Sequence, residues 1–200
     1  MKFNSRVLSL KNMNILKNKN LIAAFFSVFS GLILGVVAFI TISETESIDL
    51  LNLLVKFNTD FSDKSKLELF CGIALSGLPY YFAMLIVGGS IFGRLLCEIF
   101  TSVKAMGISI VASFLYANMG LKGLEYALLV FFPGKVILIF ALLFITATSI
   151  EMSKSITVKD KTDLSLAIKG YIIKYAVILL LFILSWGIDF LCNIIFSDLF

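Results

Sequence analysis

Apolar residues gather into long runs at 21–42, 69–92, 105–119, 136–150 and 170–195, with polar and charged side chains concentrated between them. Crossing a bilayer takes about 20 apolar residues at a rise of about 1.5 Å each. The pattern predicts an all-α, polytopic helical membrane bundle of about five transmembrane helices. These form one domain over 21–200, preceded by a basic segment at 1–20. The third and fourth runs are the shortest, and they flank the most informative part of the chain.

That part is 118–148, where two apolar stretches are interrupted at Phe132-Pro133-Gly134-Lys135. The first stretch, 124–132, holds nine residues including Glu125, too few to cross. It reads as an interfacial or re-entrant half-helix leading into a true span that begins near Val136. Pro133 has no N–H to donate and Gly134 resists helical order. The pattern therefore predicts a fold-back at this point, covered by neighbouring helices because irregular backbone facing lipid is not tolerated.

The other runs carry packing signals. Ser27, Gly31 and Gly35 recur every fourth residue, giving one small face that lets a second helix approach closely, and packing within the chain is expected ahead of dimerisation. Pro79 is predicted to kink the second run. Arg94, Glu98 and Lys104 mark the return to the inner interface, and Arg94 and Glu98, spaced i, i+4, are expected to pair as a headgroup anchor. The third run is short and rich in small residues (Gly107, Ser109, Ala112, Ser113, Ala117), which suits a bundle interior. Tyr171, Tyr175 and Trp186 have the chemistry of interfacial anchors, and Asp189 sits near the outer end of the last run.

Charge orients these runs. Residues 1–20 carry Lys2, Arg6, Lys11, Lys17 and Lys19 with no acid, which places the N-terminus in the cytoplasm. The run that follows has 22 residues and no small-residue cleavage site, so it is expected to stay as a span and not to act as a cleaved signal. Segment 43–68 carries six acids against three bases and is placed outside. Within it Ile48, Leu51 and Val55, with Ser47 as a cap, predict a short amphipathic helix that lies on lipid or meets an outside partner. Segment 151–169 reads as a mixed-charge cytoplasmic loop, and the C-terminus is placed outside.

Composition narrows the chemistry. Hydrophobic residues make up 60% of the 200, with 20 phenylalanines, and the mean hydropathy is +1.02, beyond the range of soluble domains. Without histidine, His-based zinc sites and Ser-His-Asp catalysis are excluded. Cys71, Cys97 and Cys192 lie in or beside apolar runs without paired spacing and read as small apolar fillers. No phosphate-binding loop, dinucleotide fingerprint or carboxylate pair at defined spacing is present, so no catalytic residue, cofactor or metal is expected. The basic residues are too scattered for a nucleic-acid footprint. The polar candidates near the membrane are Arg94, Glu98, Lys104, Asn118, Lys122, Glu125, Lys135 and Asp189. Glu125 and Lys135 straddle Pro133 and are expected to approach one another, clamping the fold-back or lining a polar cavity.

Five features lie between Leu85 and Met152: Asn118-Met119-Gly120, Gly123, a short apolar half ending in Pro133, a second apolar half after it, and a glycine-rich span with Gly88, Gly89 and Gly93 ahead of Lys104. In these the chain resembles the stage II sporulation protein M family of integral membrane proteins. It departs after the proline, where family members commonly carry an amide or His-Asn polar pair and this chain has Gly134-Lys135. The resemblance implies a non-enzymatic scaffold in a bacterial cytoplasmic membrane. The family's namesake helps the mother-cell membrane engulf the forespore, acting with two peptidoglycan-degrading partners, stage II sporulation proteins D and P. The expected partners are those two enzymes, membrane lipid and, through the small-residue faces, further copies in a helix-mediated oligomer. A permease or permease subunit, with a substrate path at the broken hairpin around Pro133, is the alternative.

Overall fold

In lipid every backbone polar group has to be satisfied inside the protein, and a helix does this one segment at a time. The computed structural model describes residues 19–41, 66–158 and 161–196, which are helical apart from a turn at 89–92 and a break at Gly120. Helix α1 covers Lys19–Thr41, α2 Lys66–Gly88, α3 Gly93–Tyr126, α4 Phe132–Val158 and α5 Lys161–Phe196, and one π-helical turn, Ala127–Phe131, joins α3 to α4. The molecule is a helical membrane bundle. Among the described residues four stretches are long and apolar enough to cross a bilayer: Lys19–Thr41, Phe70–Gly88, Gly93–Thr157 and Leu164–Phe196.

The third of these is 65 residues long, far more than the roughly 20 that one crossing needs, and it is doubled back on itself. Gly120 has φ 56° and ψ −130°, a conformation open in practice only to glycine. The Asn118 amide donates to the Phe114 carbonyl at 3.0 Å, closing the last turn before the reversal. Beyond it the chain returns antiparallel. The Arg94 N–H donates to Ser153 Oγ at 3.3 Å and the Thr101 and Thr146 hydroxyls meet at 2.6 Å, so seven residues forward on α3 correspond to seven backward on α4.

A fold-back therefore exists, but at Gly120 and not at Pro133. Phe132 is helical, with φ −67° and ψ −37°, and its N–H donates to the Ala127 carbonyl five residues back. Proline removes one donor from the ladder. A single wide turn just ahead of it re-registers the hydrogen bonds, and the helix continues through Pro133 and Gly134. The short arm before the fourth crossing is thus continuous with α4.

Three boundaries also differ from expectation. Helix α3 starts at Gly93 instead of 105, so Arg94 and Glu98 occupy its first turns and Lys104 lies within it. The expected loop at 151–169 is mostly helix, since α4 runs to Val158 and α5 begins at Lys161. Its charges bridge helices: Lys174 Nζ reaches Glu151 Oε2 at 2.6 Å, and Lys154 Nζ reaches Asn20 Oδ1 at 2.5 Å. Pro79 is accommodated inside α2. The expected amphipathic helix around 47–55 and the basic residues before Lys19 lie outside the described residues.

Packing follows the small residues. The face made by Ser27, Gly31 and Gly35 lies against α3, where Ser102 Oγ donates to the Ser27 carbonyl at 2.8 Å and both glycines press on Ser102, Ala105, Met106 and Ser109. These pairings advance together, so α1 and α3 are parallel. Gly77 meets Trp186 and Gly88 meets Tyr171, so α2 and α5 are antiparallel. Lys19, the 89–92 turn, Glu151 and Lys154 consequently share one end of the bundle, the basic end, while Gly120 and Phe196 lie at the other, the hairpin end. Tyr171, Tyr175 and Trp186, expected at an interface, are instead buried at 7%, 1% and 6% exposure. The polar tips of the two tyrosines explain why: Tyr175 Oη donates to the Met84 carbonyl at 2.9 Å and contacts Ser149 Oγ, and Tyr171 Oη donates to the Leu85 carbonyl at 2.9 Å, while the Trp186 ring is seated on Gly77.

Candidate functional site: a cavity between four helices

Toward the basic end the interior is closed by paired polar groups, as a membrane bundle requires. Thr146 Oγ1 donates to the Leu142 carbonyl at 2.7 Å and meets Thr101. Tyr80 Oη lies 3.2 Å from Thr101 Oγ1, and Tyr81 Oη donates to the Tyr175 carbonyl at 2.9 Å. Together these contacts tie α2, α3, α4 and α5 into one layer.

Above that layer, on the hairpin side, the same four helices part around a cavity of about 680 Å³, within the range of small-molecule sites. Most of its wall is apolar, including Phe100, Val111, Phe114, Leu115, Leu138 and Trp186. Tyr80, Lys104, Lys135, Asp189 and Asn193 supply polar groups.

Lys135 and Asp189 form an ion pair, Nζ to Oδ2 at 2.5 Å, with side chains 22% and 7% exposed. Gly134 makes the pair possible, because a Cβ at that position would overlap the Asp189 carboxylate. Ser185 Oγ donates to the Gly134 carbonyl at 2.9 Å, fixing α5 to the same turn. The lysine ammonium also stands 5.4 Å from the Phe131 ring centroid. Gly134-Lys135 is therefore a coherent unit. The glycine admits α5, and the lysine neutralises the carboxylate that α5 brings.

The expected approach of Glu125 to Lys135 is not made. Glu125 is exposed on the arm after Gly120, and Lys135 takes Asp189 as its carboxylate. With the helix continuous through Pro133, ten residues of rise, roughly 15 Å, separate 125 from 135. Arg94 and Glu98 do pair, Nε to Oε1 at 3.4 Å, but toward the basic end and outside the cavity lining. Asn118 and Gly120 shape the hairpin tip, and Pro133 sets the turn that precedes the ion pair.

Lys104 differs most from its sequence reading. It lies eleven residues past Gly93, about 16 Å of helical rise from the basic end, lining the cavity instead of marking an interface. Its Nζ stands 5.9 Å from the Tyr80 ring centroid, and the ion pairs among the described residues, Arg94–Glu98, Lys135–Asp189 and Lys174–Glu151, do not include it. Sequence reasoning also missed Tyr80, Thr101 and Thr146. Their signal was available as hydroxyl-bearing residues inside apolar runs, where an unpaired hydroxyl is costly. Comparison with family models, with curated proteins and with solved structures finds no match.

Proposed function

We propose that this chain is a non-enzymatic membrane scaffold of the stage II sporulation protein M type, positioning peptidoglycan-remodelling partners at the outer face of a bacterial cytoplasmic membrane. The reading draws on one observation: Gly120, Gly123 and Pro133, three of the residues that carry the resemblance, build the hairpin arm that leads into α4. Gly120 reverses the chain, and Gly123 packs so closely on the Leu115 carbonyl that a Cβ would overlap it. Pro133 follows the wide turn, and beside it Gly134-Lys135, where the chain departs from the resemblance, locks α4 to α5. The paired interior polar groups favour a rigid platform. In a spore-forming host, deleting the gene is expected to stall engulfment, and a photocrosslinker at Asn58 is expected to capture peptidoglycan-degrading enzymes. Normal engulfment in the deletion strain overturns the reading.

The cavity favours a second reading, a permease with its path beside the Lys135–Asp189 pair. Proteoliposomes separate the two, since a scaffold moves no solute across the bilayer.

A further inference from the structure

The scaffold reading leaves the cavity and one of its charges without a role. Lys104 is too deep for its stem to carry the ammonium back to the basic end. An ionisable side chain held at such depth is costly unless something compensates it. The Tyr80 ring face, 5.9 Å away, compensates only in part. The other cation of the cavity, Lys135, is already neutralised by Asp189. Among the described residues the cavity therefore carries one positive charge without a counter-charge, and the complementary ligand is an anion.

The walls decide what kind of anion. Around Lys104 the lining is Phe100, Val103, Ile108 and Val111, so a fully hydrated small ion loses its water without replacement there. An amphiphile does not: its charged group meets the ammonium and its apolar part meets the walls. The surrounding bilayer supplies such molecules at high local concentration. There is also room beside Lys104, since Gly107 lines the cavity and nothing lies within 4 Å of where its Cβ would stand.

We propose that Lys104 anchors the headgroup of an anionic membrane lipid, whose acyl part lies against Phe100, Val103 and Val111. This site is independent of the scaffold reading, because it predicts lipid retention whether or not a wall enzyme is bound.

The test is native mass spectrometry of the full chain, purified from bilayers holding equal phosphatidylglycerol and phosphatidylcholine. The wild type is expected to retain phosphatidylglycerol in preference. Lys104→Gln is expected to lower that retention about tenfold, the scale of one lost charged hydrogen bond, while Lys104→Arg keeps it. Gly107→Phe fills the space without touching the charge and is expected to abolish retention with unchanged thermal stability, which keeps the proposal testable should Lys104→Gln fail to fold. A photoactivatable phosphatidylglycerol is expected to label peptides of α3. Equal retention of the two lipids by the wild type overturns the proposal, as does unchanged retention in a folded Lys104→Gln or in Gly107→Phe. Displacement of the lipid by millimolar inorganic phosphate also overturns it, in favour of a small-anion site.

Discussion

At the scale of single residues, two positions concentrate the strain and the charge. Gly120 holds a backbone conformation closed to side-chain-bearing residues, so Gly120→Ala is expected to destabilise the protein by about 1–3 kcal/mol, read by thermal unfolding in detergent. Removing Asp189 leaves Lys135 as a charge with no partner. Asp189→Asn is expected to cost about 2–4 kcal/mol, and pairing it with Lys135→Met should restore much of the loss, a coupling that a double-mutant cycle measures. Simple additivity would mean that the ion pair does not hold α4 to α5. These residues also mark how far sequence reasoning reaches. A charge inside an apolar run is visible in a sequence, but its depth is not. Lys104 lies close to Arg94 and Glu98 in the sequence, which points to the same interface, while the helix that carries all three sets only Lys104 in the cavity lining. The partner of Asp189 was equally hidden, because it depends on a glycine 55 positions earlier leaving space for a carboxylate.

At the scale of elements, helix content and the small face of α1 were readable, since hydropathy fixes the first and four-residue spacing the second. The hairpin was readable only in kind. By residue type proline is the stronger breaker, yet a π turn absorbs its missing donor, whereas the non-helical backbone of Gly120 reverses the chain. The antiparallel arrangement of α3 and α4 has a direct check in a background with the native cysteines replaced by alanine. Thr101→Cys with Thr146→Cys is expected to crosslink readily, and Thr101→Cys with Leu138→Cys is not. Efficient crosslinking of the second pair would place the turn elsewhere. Close contact between α1 and α3 makes a further prediction: Gly31→Leu collides with the backbone of Ser102 and should destabilise by at least about 1–3 kcal/mol, the usual cost of overpacking.

At the scale of the whole molecule, the basic and hairpin ends give the bundle a polarity that charge alone suggests how to orient. Lys19, Arg94, Lys154, Lys169 and Lys174 gather toward one end, which the positive-inside tendency assigns to the cytoplasm. A membrane-impermeant maleimide is expected to label Lys122→Cys in intact cells and Lys154→Cys only after permeabilisation; the reverse result inverts the topology. The packing order also has a consequence for biogenesis. Helix α1 rests on α3 and α4, and α2 leans on α5, so the two segments synthesised first are completed by those synthesised last. Until α5 has been made, the tyrosine hydroxyl at 81 and the bare groove at Gly77 lack the carbonyl and the indole that cover them in the finished bundle, so the second helix waits on the last for its seat.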